Sequence, residues 1–164
     1  MTTIAPVLVL GLGNDILTDD AVGLHVARAV RSALADEPDI AVEETTEMGL
    51  TLLDSIADRE ALVLVDAVQT GRAPAGHIHE VGPTELSGAL TTSPHFLGVG
   101  ETLALGRSLG LAMPRDVRIL AIEVADPLTL GENLTPAVAA AVKDAAERAV
   151  ELARSFAYAA ASFP

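Results

Sequence analysis

Three residues far apart in the chain could do chemistry together: Asp20, Asp66 and His95. Asp20 follows Asp19 in a short loop, after the apolar run Val7 to Leu10 and the glycine turn Gly11-Leu12-Gly13-Asn14. Asp66 ends Ala61-Leu62-Val63-Leu64-Val65, the clearest buried strand in the sequence. A lone carboxylate in so apolar a setting needs a partner or a cation. His95 comes just after Ser93-Pro94, near a helix start. Two carboxylates and an imidazole suit a divalent borderline metal such as nickel or zinc, with positions left open for a substrate. No short-range ligand spacing such as H-E-x-x-H reinforces the set. Asp19 or Asp20 can instead cap the helix that follows, where the helix dipole favours acids.

Apolar periodicity shows the elements that must position these groups. Val7–Gly11 is a continuous apolar run, as expected of a strand buried on both faces. Val22, Val26, Val30 and Ala33 then recur at helical spacing, to about Leu34. Ile40-Ala41-Val42 starts a second strand that runs into Glu43 to Glu47. Gly49-Leu50 opens a second helix with Leu52, Leu53 and Ile56 inward. Ala61–Ala67 is the third strand. His77-Ile78-His79-Glu80-Val81 alternates polar and apolar, the pattern of a half-exposed edge strand. Its two histidines share one face and read more readily as solvent-exposed than as metal ligands. His25 lies beside the apolar stripe of the first helix and is peripheral.

A helical pattern follows from about His95 to Leu109, and Val117 to Val124 is a fifth strand. Thr135-Pro136 marks a helix start, with Thr at the cap and Pro at the first helical position. Val138, Val142, Ala145, Ala149, Leu152 and Phe156 form one apolar stripe along that last helix. Residues 1–6 and 159–164 are expected to fray. Strands alternating with helices predict a mostly parallel sheet with helices on both faces. The length of 164 residues suits one domain spanning 1–164. In such a sheet the ends of the first and third strands lie close together. Asp20 and Asp66 would then face one another across a crevice at the carboxyl edge.

Several function classes are disfavoured. The fingerprint G-x-G-x-x-G needs a third glycine at position 16, which is Ile16. Asp19-Asp20 would repel a pyrophosphate, and there is no Walker lysine pattern. Ser93 with His95 makes no convincing nucleophile pair, and no G-x-S-x-G elbow is present. The chain has no cysteine, so thiolate ligands and a cysteine nucleophile are ruled out. A net charge of −13 argues against a nucleic-acid backbone and an anionic membrane, and suits a cationic or metal-bearing partner. The N-terminus lacks the basic region of a signal peptide, and no apolar run approaches a membrane span. A soluble, cytoplasmic protein is expected. Aromatics are only 2%, so the core must be built from Ala, Val, Leu and Ile.

Four stretches, in order and at similar spacing, resemble the endopeptidases that mature [NiFe]-hydrogenase large subunits. They are L-G-L-G-N-D-I-L-T-D-D-A-V-G (10–23), L-V-L-V-D-A-V (62–68), S-P-H-F-L-G (93–98) and N-L-T-P (133–136). The resemblance runs from about Val7 to Leu152. It implies an α/β fold: a three-layer α/β/α sandwich on a mostly parallel, twisted five-stranded sheet, with one antiparallel edge strand. It implies removal of a C-terminal extension from the large-subunit precursor after nickel insertion. It also implies metal binding and catalysis at Asp20, Asp66 and His95, the trio already reached from the residues. The nickel would be carried by the substrate, and zinc or cadmium could take its place in a crystal. The implied partner is the precursor; no nucleic-acid or membrane partner is expected, and the oligomeric state is left open, with a monomer favoured. The alternatives are a chaperone that holds the precursor uncut and a peptidyl-tRNA hydrolase, which shares the G-x-G-N turn. One departure stands out. Where many members carry a glycine-rich D-G-G-T-like segment, this chain has Glu44-Thr45-Thr46-Glu47-Met48-Gly49, and Glu47 could add a carboxylate to the cleft.

Overall fold

The computed structural model describes residues 4–47, 49–82, 85 and 94–162, with the side chains of 94–98 excepted. Among the described residues there are five strands: β1 (Val7–Leu12), β2 (Ile40–Thr45), β3 (Ala61–Val68), β4 (Ile78–Val81) and β5 (Asp116–Glu123). Four helices join them: α1 (Val22–Ala33), α2 (Leu50–Ile56), α3 (Pro94–Ser108) and α4 (Pro136–Ser162). The strand order is β2-β1-β3-β5-β4, with every neighbouring pair parallel except β4 with β5. The expected α/β sheet with an antiparallel edge strand is what the chain forms.

Side-chain parity divides the core into two layers, because successive residues of a strand face opposite sides. Val7, Val9, Val63 and Val65 pack with α1 and α4. Leu8, Leu10, Leu62, Leu64 and Val68 pack on the other face with Leu52 and Ile56 of α2 and Val99 and Leu103 of α3. β1 and β3 are buried along their whole length, while the flanking β2 and β4 are half-exposed. On α4 the residues meeting α1 and the sheet are mostly alanines, which lets a long helix lie close without aromatic filling.

The alanine-rich end of α4 departs from expectation. The helix runs unbroken to Ser162, whose hydroxyl donates to the Tyr158 carbonyl at 2.8 Å. Alanine has the highest helix propensity, so Ala159, Ala160 and Ala161 extend the helix.

The glycines after the first strand also act differently from the expected turn. Gly11 lies inside β1, and neither Gly11 nor Gly13 has a positive φ. What they allow is close approach. A Cβ on Gly11 would strike the Gly23 carbonyl, and one on Gly13 would strike the Asp20 carbonyl. A Cβ on Gly23 would meet the carbonyls of Leu12 and Val65. The start of α1 is thereby set directly on the ends of β1 and β3. The atoms in the way belong to the main chain and cannot swing aside. Gly23→Ala should therefore lower stability by about 1–3 kcal/mol or more, seen as a lower urea midpoint at unchanged m-value.

Candidate functional site

β1 connects to β2 on one side of the sheet and pairs with β3 on the other, so the β1/β3 crevice is a topological switch point. Ligand sites of open α/β sheets lie outside the carboxyl ends of the strands at such a point. Pairing of β1 with β3 ends at Gly11↔Val65, one residue before Asp66. β3 continues to Val68 alongside β5, with Asp66 opposite Ala121. Asp66 is thus where β3 outlasts β1. It is fully buried, and its Oδ1 accepts the Ala67 N–H at 2.8 Å. Parity places it with Leu62, Leu64 and Val68, on the face that α2 and α3 cover.

His95 is the second residue of α3. Further along that helix, Gly106 packs against Met113, which lines the cleft at the amino ends of β3 and β5 with Ala61 and Asp116. The far end of α3 is therefore at the amino edge of the sheet, and its start points to the carboxyl edge. Position 95 precedes buried Val99 by one helical turn. Its side chain lies outside the described residues, as does Ser93.

Asp20 belongs to a 3-10 turn, Thr18–Ala21, which packs against β3. It lines a cleft of about 180 Å³ with Leu12, Gly13, Asn14, Leu17, Thr45, Thr46 and Glu47. Asp66 is not in that lining. The cleft that Asp20 lines is walled by the ends of β1 and β2, while Asp66 lies at the end of the β1/β3 pairing. Glu47 stands in the cleft wall, while Glu44 turns away to ion pairs with Arg28 at 2.8 Å and Arg31 at 3.8 Å. Among the described residues, no three His, Asp or Glu side chains form a group able to hold a metal ion.

The two adjacent acids have separate fates, and neither caps α1. The α1 cap position is Ala21, without a side-chain hydrogen bond. Asp19 is fully buried and joins segments far apart in sequence. Its Oδ2 accepts from the backbone N–H groups of Ala125 (3.1 Å) and Asp126 (2.9 Å) and from the Thr135 hydroxyl (2.9 Å). Its Oδ1 accepts from the Thr135 N–H at 2.7 Å. This ties the loop after β1 to the loop after β5 and to the start of α4. Nearby, Thr18 donates its N–H and its hydroxyl to the Thr129 carbonyl at 3.0 and 2.8 Å. Leu17 and Leu130 form a β-bridge.

A third buried acid, Glu123, ends β5. The signal that marks Asp66, an acid ending an apolar strand, holds for it equally. Glu123 accepts from the Thr70 N–H (2.8 Å), the Thr70 hydroxyl (2.7 Å) and the Gly71 N–H (2.9 Å), and pairs with His79 Nε2 at 2.9 Å. His79 is therefore held against a buried carboxylate rather than left to solvent, and its ring meets the exposed His77 edge-on, with centroids 4.6 Å apart. His25 is peripheral as expected, half-buried in α1, with its pKa lowered by burial and then by Arg28.

Burial pushes the Glu123 carboxyl up, but the hydrogen bonds from Thr70, His79 and Gly71 outweigh it and hold the group below the ordinary 4.5. A depressed folded value means that the carboxylate stabilises the fold above the ordinary glutamate range. That contribution is lost as pH falls through the folded value. Glu123→Gln should thus cost about 1–3 kcal/mol at neutral pH. Its deficit against the parent should shrink as the pH drops through the acid range, measured as urea midpoints across pH.

A larger groove of about 690 Å³ lies between α1 and α4, lined by Ala29, Ala33, Val142, Ala146 and Val150 among others. It holds none of the three candidate residues.

Comparison with known proteins gives a consistent result. The family model described as HycI: Hydrogenase maturation protease matches residues 24–152, a span that includes Asp66 and His95 and begins just after Asp20. The Hydrogenase 2 maturation protease of Escherichia coli K12 is 27% identical over 150 residues, which cover 90% of each chain. Among solved structures, the hydrogenase maturating endopeptidase HybD from E. coli is similar at a TM-score of 0.74 and 28% identity, covering 91% of this chain and 92% of that one. The [NiFe] hydrogenase maturation protease HybD from Thermococcus kodakarensis is similar at a TM-score of 0.70 and 25% identity, covering 90% and 98%.

Proposed function

Because the chain belongs to the hydrogenase maturation protease family, we propose that it removes the C-terminal extension of a [NiFe]-hydrogenase large-subunit precursor after nickel insertion. In this reading Asp20, Asp66 and His95 recognise the nickel that the substrate carries. The observation that carries it is Asp66, fully buried in an apolar strand at the switch point. Burying a carboxylate there costs several kcal/mol before any compensation. Standing at the switch point, where ligand sites of such sheets lie, it is a candidate ligand for what the cleft receives.

The donor set fits the substrate's metal: two carboxylates and one imidazole suit a divalent borderline ion. Nickel arrives with the precursor, so docking it on these residues selects the metal-loaded form and fixes the scissile bond in the cleft. Holding the reacting groups in place accounts for much of the lowering of the barrier. The docked metal or a carboxylate polarises the carbonyl or orients water, and a carboxylate acting as base must reach that water by hydrogen bond.

The test is to incubate the protein with nickel-loaded precursor and weigh both products. Release of one C-terminal peptide with a matching loss from the precursor is expected. Metal-dependent association with no change in mass would replace the protease reading with that of a holding protein.

A further inference from the structure

We infer that the loops beside the candidate site form a docking shelf for the precursor, made of Ile16, Leu128 and Leu130. The inference rests on the proposed reading of the substrate as a folded, nickel-loaded subunit. The three side chains are strongly exposed, at 58%, 79% and 75%. They come from two loops at the carboxyl edge that the structure joins: Leu17 bridges Leu130, and the Gly131 N–H donates to the Ile16 carbonyl at 3.1 Å. The same loop carries Asp20 at its end, so the shelf is continuous with the candidate site. Exposed apolar side chains gathered at one place and rimmed by polar groups mark a protein-binding surface.

Two observations fit a protein partner of defined character. First, the shelf is preorganised. Buried Asp19 anchors both loops through its bonds to Ala125, Asp126 and Thr135. Asp126 Oδ1 also accepts the Leu128 and Thr129 N–H groups, at 3.3 and 3.0 Å. Little ordering entropy then opposes docking. Second, the surroundings are mainly acidic: Arg28, which lines a neighbouring cleft with Asp15 and Glu47, is paired with Glu44 at 2.8 Å. Stretches 11–27, 43–58 and 123–142 contain no Lys or Arg, yet carry Asp15, Glu47, Asp126 and Glu132. The matching surface on the precursor is an apolar patch flanked by Lys and Arg, which acidic surroundings steer and orient.

The test compares the parent, Leu128→Asp/Leu130→Asp and Tyr158→Asp for binding to immobilised nickel-loaded precursor, read in the cold before trimming proceeds. Tyr158 is as exposed as Leu128 but lies near the end of α4, where Phe156, Ala159 and Ala160 line the cleft at the opposite, amino edge of the sheet. It therefore controls for an added charge. The double variant should bind about tenfold more weakly or worse, Tyr158→Asp should match the parent, and rising salt should weaken the parent. The shelf is overturned if the double variant binds like the parent, if Tyr158→Asp loses as much, or if the parent does not bind. Product masses from the same samples judge trimming separately. A parent that binds through the shelf and leaves the precursor intact refutes the protease reading alone. A parent that trims while the double variant binds undiminished refutes the shelf alone.

Discussion

Asp66→Asn is expected to abolish trimming of nickel-loaded precursor while leaving the protein folded. The amide matches the carboxylate in shape and keeps an oxygen to accept the Ala67 N–H, which the acid takes at 2.8 Å. It changes the charge at a fully buried position without opening a cavity, so the protein should still fold and melt cooperatively. Activity should drop at least about a hundredfold, the scale attached to a positioned acid–base or ligand carboxylate. Lost activity in a protein that still melts cooperatively is the signature of a residue held in place for function. Product mass against time, with thermal melts of the same samples, checks both halves. Normal trimming by Asp66→Asn would remove this residue from the site.

Asp19→Ala should show the opposite pattern. The neighbouring acid is a structural tie, and its loss strands the N–H groups of Ala125, Asp126 and Thr135 and the Thr135 hydroxyl. Leaving several buried donors without an acceptor costs about 3 kcal/mol or more. For a chain of this size that is a fall of about 6–12 °C in Tm. Trimming should weaken as well, because the loop that presents Asp20 loses its anchor on the loop after β5. Asp20→Ala, by contrast, should lose trimming with a smaller fall in Tm, because the four hydrogen bonds that Asp19 accepts stay in place. Two acids side by side in sequence are thus separated by melting and mass measurements on two variants.

The sequence makes much of this architecture legible because the signals are local. β1 and the start of β3 (Ala61–Val65) show as apolar runs, α1 and α4 as stripes at helical spacing, and β4 as an alternating strand. Asp66 can be picked out because an acid is conspicuous in Ala61–Val68. The rest depends on contacts that no local pattern carries. Gly11 and Gly13 look like a turn, yet their role is set by Gly23 and the Asp20 carbonyl pressing against them. Asp19 looks like a helix cap, and its partners are 106 to 116 residues away. His79 looks like an exposed edge residue until β4 pairs with β5 and brings it to Glu123. The extent of α4 was in reach of the sequence, since its last residues include three consecutive alanines.

The central claim is that the site reads nickel carried by the substrate. It is tested most directly by giving the protein equal amounts of nickel-loaded and nickel-free precursor and following the mass of each. The account predicts that the loaded precursor loses its C-terminal extension and the nickel-free form stays intact. Trimming of both forms at the same rate would contradict it.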